Sequence, residues 1–260
     1  MSENNTILTS VDGTVGIITL NRPNDMNAVN LEMLNEIAYQ VQEWEYDDTI
    51  KCIVLRGNDN VFAAGIDIKD LSCEVAQQSL ALKAWQDEFN KIINCSKPII
   101  SAISGYALGL GCDLALAGDI ILAAESAQLG YPEVSIGIIP SFGGCSRLIH
   151  RIGKAKTSEI ILTGKALSAE DASTCGLISR IVPLQDLFAE SLRVANRIAS
   201  LPYQAVLQAK ETRILPFFLT ECLSASSSRP SQLYTLRLLC IVTRLKFARI
   251  LDNSSFGLKG

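Results

Sequence analysis

Three short runs set the limits on how this chain can fold: "IKCIVLRG" (50–57), "KPIISAISGYAL" (97–108) and "DIILAAESAQLG" (119–130). Each is rich in β-branched and apolar residues, and each leads into a turn of glycine and other small residues. A run such as "CIVL" has no polar side to give to water, so it reads as a strand buried on both faces. A further strand, "TVGIITLNRP", is closed by a turn at Pro23. Between the strands lie helical patterns. "NLEMLNEIAYQVQEWEYD" carries apolar residues at 31, 34, 37, 38, 41 and 44, one face of a helix. An amphipathic helix is expected over 76–94 and a buried one over 110–118. The 119–130 segment reads as two short strands around a turn. The unit of strand, turn and helix recurs about three times. That order predicts an α/β domain with its ligand groups at the carboxyl ends of the strands.

At 260 residues, the chain is long enough for one large domain or a domain with an appendage. With 48% apolar and 19% charged residues it can build a sizeable core. A net charge of −4 argues against a nucleic-acid partner. No apolar run approaches the roughly 20 residues of a membrane span. The opening "MSENNTILTS" has neither a secretion-signal nor a transit-peptide pattern, so a cytoplasmic location is expected. Eight scattered cysteines without a CxxC pair read as reduced core residues. The one histidine, His150, makes a zinc site or a Ser-His-Asp triad improbable, so no metal is expected.

The last fifty residues differ in character. Residues 211–260 hold three acids against seven bases, a net +4 where the rest of the chain carries −8. "LSASSSRPSQ" (223–232) reads as a flexible joint, and "LYTLRLLCIVTRLKFARIL" as a basic, strongly apolar helix. The reading divides the chain into a core over 1–200 and a C-terminal helical segment over 201–260, atypical from about 211.

Candidate chemistry gathers at two turns and two acids. In "FAAGIDIKD", Ala63, Ala64 and Gly65 leave the backbone open to close approach, and the N–H of Ile66 could face a cleft. The turn Gly109-Leu110-Gly111 offers a second free N–H, that of Leu110, at the start of a helix whose dipole favours negative charge. Two such amides can form an oxyanion hole for a polarised carbonyl. Asp113 is the one charge in the apolar run "GYALGLGCDLALAG", three residues on from Leu110 and on the same helical face. It reads either as a buried, hydrogen-bonded structural aspartate or as a working carboxylate. Glu133, after a proline in "LGYPEVSIGIIP", is costly to bury unpaired. It reads either as a general acid–base with a raised pKa or as the partner of a nearby base such as Arg147.

Taken together, "VGIITLNRPNDMNAVNLEMLNEI", "FAAGIDIKDL", "KPIISAISGYALGLGCDLALAGD", "AQLGYPEVSIGIIPSFGGCSRL" and "GKALSAEDASTCGLISRIV" resemble the crotonase, or enoyl-CoA hydratase/isomerase, superfamily. The resemblance covers roughly residues 10–210. It implies a spiral of repeated ββα units followed by a helical lid and oligomerisation segment, usually assembled as a homotrimer or homohexamer. It implies an acyl-CoA thioester as substrate, with coenzyme A carried by the substrate and no separate cofactor. The amides of Ile66 and Leu110 would hold the thioester oxygen. Ala64, Asp67, Ile68 and Gly109 would line the coenzyme A and substrate path, with Lys69 a weaker candidate for its phosphates. Leu110 stands where members often have glycine, and its side chain is expected to narrow the cleft.

The hydratases of the family use two glutamates around one water, and these align with Asp113 and Glu133. Glu133 would give a proton to the α-carbon, and the group at 113 would activate the water. Asp113 is one methylene short, which keeps open a Δ3,Δ2-enoyl-CoA isomerase that uses Glu133 alone, or a non-catalytic acyl-CoA-binding homologue. The 211–260 stretch lacks the family's acid- and phenylalanine-rich ending. It is read as a diverged lid, an altered reading frame, or a basic stretch that binds a membrane surface or partner.

Overall fold

The computed structural model describes residues 5–71 and 75–212, without the side chains of 70–82. The serine-rich joint and the basic apolar helix expected after residue 222 lie outside the described residues. The chain divides into units Met1–Lys210 and Glu211–Gly260, and the architecture below is that of the first.

In chain order the elements are β1 (Ile7–Asp12), β2 (Val15–Leu20), α1 (Leu31–Tyr46), β3 (Cys52–Arg56), β4 (Val61–Ala63), α2 (Val75–Ile93), β5 (Ile99–Ile103), β6 (Tyr106–Leu108), α3 (Leu110–Ala117), β7 (Ile120–Ala124), β8 (Gln128–Gly130), α4 (Gly144–Thr163), β9 (Leu167–Ser168), α5 (Ala169–Thr174), β10 (Arg180–Val182) and α6 (Leu184–Ala199). Residues 203–212 are also helical.

Three consecutive units share one plan. Each begins with a strand of five residues (β3, β5, β7) that joins a six-stranded sheet of order β1-β2-β3-β5-β7-β10. Each continues with a three-residue strand (β4, β6, β8) that joins a second sheet of order β4-β6-β8-β9. A helix then closes the unit. Successive units pair in parallel in both sheets, so the chain advances as a spiral of ββα units, the architecture that the resemblance implies. β6 is a second strand within the run 97–108, which the sequence pattern does not separate from β5. A three-residue strand is too short to show a period of two, and only its pairing with β4 and β8 defines it.

Strands β3, β5 and β7 of the large sheet are buried on both faces, as their unbroken apolar runs require. Ile53, Leu55, Ile99, Ile103, Ile121 and Ala123 enter the main core with α1, α3 and the small sheet. Their alternates Cys52, Val54, Ile100, Ala102, Leu122 and Ala124 pack instead against Leu187 and Ala195 of α6. In α1 the buried set is Met33, Leu34, Ile37, Ala38, Val41 and Trp44, with Leu31 packed at its edge. Asn30 caps this helix by accepting from the Met33 N–H at 2.9 Å.

Lys97 is fully buried and closes the far end of α1. Its Nζ donates to the carbonyls of Trp44, Asp47 and Ile50. Lys210 donates to the Lys97 carbonyl and pairs with Asp119 at 2.8 Å, while Asp119 also accepts from the Ile99 N–H at 2.7 Å. Asp119 thus stands just past the end of α3 and fastens the start of β5. Five cysteines lie in described parts of the chain and all are free, with Cys52, Cys95 and Cys112 buried. No helix among the described residues is long and apolar enough to cross a membrane.

Candidate active site

The two turns singled out in the sequence meet behind the small sheet. Asn27 is buried with φ of 53°. It donates to the Phe62 carbonyl at 3.1 Å and accepts from the Arg22 N–H at 2.8 Å, which fixes the 22–29 loop beside β4. That loop then holds the 64–67 turn through Ala64 N–H to Met26 O, Val29 N–H to Gly65 O and Asp67 N–H to Val29 O. The second turn, after β6, packs directly on the first. A Cβ on Gly111 would collide with the Ala63 carbonyl, and one on Gly65 would touch the Leu108 carbonyl at 3.5 Å. Gly111 is therefore the condition for the two backbones to approach, while Gly65 is required by its φ of 121°.

The N–H groups of Ile66 and Leu110 have no acceptor among the described residues. Leu110 is 2% exposed, so its N–H is a buried donor at a helix start left without a partner. The Leu110 side chain belongs to the main apolar core.

The other residues expected to line the path divide. Asp67 is buried, and its carboxylate is spent on the loop itself. It pairs with Arg22 at 2.9 Å and accepts from the Lys69 N–H at 3.1 Å. Although burial opposes charge there, Arg22 and that N–H hold the Asp67 carboxyl below the usual range. Ala64 is half-buried, whereas Ile68 is 64% exposed. Lys69 is exposed and lies 3.6 Å from Asp25.

Gly109 precedes α3 with φ of 51° and ψ of −123°, and a Cβ there would lie 2.6 Å from Glu133 Oε1. The glycine lets the Glu133 carboxyl lie against the start of α3. Glu133 itself follows Pro132 in a single-turn helix, Pro132–Ile136. It is half-buried, yet its Oε2 is buried without a hydrogen-bond partner. Burial first, and the negative charge of Asp113 second, push its pKa up to about 7, against a partial offset from its own N–H. Such a group can both give and take a proton near neutrality.

Asp113 is 1% exposed, on the first turn of α3. Its Oδ1 accepts from Arg147 at 2.6 Å and from the Tyr131 hydroxyl at 3.1 Å. Its Oδ2 has no partner among the described residues. Burial raises the Asp113 pKa overall, and Arg147 and Tyr131 offset only part of that rise. The expected alternative partner of Glu133 is thus the partner of Asp113 instead.

Arg147 is itself held by the Phe142 carbonyl and lies over the Phe89 ring, 5.0 Å from its centroid. Sequence reasoning considered Arg147 but gave it to the wrong acid, and it missed Tyr131. Tyr131 is fully buried, and a side chain on Gly144 would collide with its ring. Its one sequence signal was its place between Gly130 and Pro132 in the loop that carries Glu133.

The site thus combines two acceptor-less amides on touching turns with two carboxyls, one of which, Asp113, raises the pKa of the other. That is equipment for stabilising an oxyanion while protons move. The description "Enoyl-CoA hydratase/isomerase" belongs to the family model that matches residues 10–216. A Rhizobium meliloti protein named "Probable enoyl-CoA hydratase" is 41% identical over 209 residues, which is 79% of this chain and 80% of its own length. The mitochondrial enoyl-CoA hydratase of Pongo abelii is 42% identical over 80% of this chain and 72% of its own. Among solved structures, an enoyl-CoA hydratase subunit from Geobacillus kaustophilus superposes with a TM-score of 0.80 at 30% identity, covering all of both chains. The chain belongs to the enoyl-CoA hydratase/isomerase family, within the crotonase superfamily.

Proposed function

We propose that the protein is an enoyl-CoA hydratase that adds water across the double bond of a trans-2-enoyl-CoA. The observation that carries this reading is the carboxyl pair. Asp113 and Glu133 interact electrostatically, and each keeps one oxygen without a protein partner. In this reading one water lies between those oxygens. Asp113 takes a proton from the water as its oxygen bonds to the β-carbon. The Glu133 carboxylic acid gives its proton to the α-carbon. The enolate oxygen formed in between is held by the N–H groups of Ile66 and Leu110. The proton on Asp113 must then return to Glu133 to reset the pair. Coenzyme A arrives with the substrate along Ala64, Asp67, Ile68 and Gly109, with Asp67 setting the loop's shape, and no further cofactor is required.

A pKa near 7 suits Glu133 to this work, because the acid form is still populated at neutral pH. The test is hydration of crotonyl-CoA, followed as loss of absorbance at the conjugated thioester band. Wild type should turn over, and Glu133→Gln should lose roughly 100- to 10,000-fold in kcat. Equal rates for the two would remove the proposal.

One observation favours isomerase chemistry as the second reading. Oδ1 of Asp113 is occupied by both Arg147 and Tyr131, which restrains the already short side chain. Glu133 alone would then move a proton between C2 and C4 of a 3-enoyl-CoA, and that activity would survive Asp113→Asn.

For assembly we propose a homotrimer or a dimer of trimers, supported by the exposed apolar side chains of Ile136, Ile139 and Ile149. Sedimentation would test it, and a monomer at assay concentration would refute it. A cytoplasmic location is our reading as well, supported by free cysteines placed in the core.

A further inference from the structure

We propose that Arg147 is the positioning residue of the water-activating acid: it holds the Asp113 carboxylate by Oδ1, keeps it ionised in a dry site, and leaves Oδ2 to the water. The inference rests on the hydratase reading and adds to it a residue on a different element, 34 positions away.

The geometry is asymmetric. Both hydrogen bonds to Asp113 fall on one oxygen, from Arg147 Nη2 at 2.6 Å and Tyr131 Oη at 3.1 Å. A carboxylate that is 1% exposed cannot remain charged without such compensation. Arg147 is in turn fixed by the Phe142 carbonyl and the Phe89 ring, so it presents a rigid cation rather than a mobile one. Its Nε is buried without a partner, a sign that the guanidinium is placed for Asp113 and not for its own satisfaction.

Among the described residues, the charged or titratable groups that interact with Asp113 come from three elements and the loop between them. Arg147 and Cys145 come from α4, Cys112 from α3 itself, Tyr131 from the end of β8, and Glu133 from the following single-turn helix. Burial raises the three groups Cys112, Cys145 and Tyr131, which leaves them neutral. Arg147 is the one cation among these groups. Without it the two carboxyls would compete for one proton and titrate as a coupled pair.

The readout is the acid limb of the kcat/KM profile for crotonyl-CoA, where Asp113 must lose its proton to act as base. Removing the cation raises the pKa of a buried acid, so Arg147→Gln should move this limb up by at least about one pH unit. Arg147→Lys, which keeps the charge, should bring it back toward wild type. A drop in rate that is uniform with pH, with the limb unmoved, would show a structural role only and overturn the proposal.

If Arg147→Gln fails to fold, Tyr131→Phe removes the weaker donor alone and should shift the limb in the same direction by less. An unmoved limb there would also overturn it. Carboxyl 13C NMR titration of Asp113 separates this proposal from the hydratase reading, because it needs no turnover. If wild type hydrates nothing, a higher Asp113 midpoint in the variant still supports the positioning role, and an unchanged midpoint ends it.

Discussion

Gly109→Ala separates what the backbone needs at the start of α3 from what the chemistry needs. The substitution meets two distinct obstacles. Gly109 sits at φ 51° and ψ −123°, where an L-residue is strained by about 1–3 kcal/mol. Its new Cβ would also lie 2.6 Å from Glu133 Oε1, closer than the 3.0 Å that Cβ contacts respect. The obstacle is the end of a flexible side chain, so Glu133 can retreat at little energetic cost. The retreat is nonetheless roughly 0.4–0.8 Å, on the scale where about 1 Å of misplacement costs about 100-fold. Interpolation gives a loss of roughly 6- to 40-fold in kcat. Urea unfolding should show a stability loss of about 1–3 kcal/mol, and crotonyl-CoA hydration the loss of kcat in protein that is still folded. A folded Gly109→Ala enzyme with wild-type kcat would refute the claim that Glu133 works from its position against this glycine.

Two further outcomes follow from the buried charges. Glu133 has a folded-state pKa raised to about 7 from 4.5, so its favourable contribution is complete below pH 4.5 and is lost as pH rises through 7. Glu133→Gln does not titrate, and its urea midpoint should match wild type near pH 4.5 but exceed it at pH 8. The gain should be about 1–2 kcal/mol, reduced from the full linkage value because the residue is partly solvated; no difference between the two pH values would contradict a buried, unpaired acid. Lys97→Met should lower stability by roughly 2–4 kcal/mol, because the carbonyls of Trp44, Asp47 and Ile50 lose one shared charged donor. Thermal unfolding reads it, and a shift of less than a degree would mean that water replaces the ammonium without cost.

The parts of the fold carried by long patterns were legible in the residues. The face of α1 follows from its 3.6 period, with Met33 rather than Leu31 completing the buried set. α2 runs Val75–Ile93 where 76–94 was expected. α3 ends one residue earlier than expected, because Gly118 leaves the helical backbone conformation. The short strands were not legible, since three residues carry no period and take their identity from neighbours in other units. Glu170 and Asp171 lie in the first turn of α5, which Ser168 caps.

At the site, the same division holds. Local chemistry drew attention to Asp113, Glu133 and the two turns, because a charge in an apolar run and glycines before a helix are visible along the chain. The pairing of Arg147 with Asp113 is a long-range fact, decided by how α4 lies across α3. Asp67 lies between the two cases. Its loop was recognised, but only the approach of Arg22, 45 positions earlier, shows that its carboxylate is structural.

In the hydratase reading two carboxyls, and not Glu133 alone, do the chemistry. The most direct measurement compares wild type with Asp113→Asn on two substrates, a trans-2-enoyl-CoA and a 3-enoyl-CoA of the same chain length. Wild type is expected to hydrate the first, and Asp113→Asn to lose roughly 100-fold or more of that rate. Hydration that survives Asp113→Asn unchanged, or a wild type that only shifts the double bond of the second substrate, would contradict that reading.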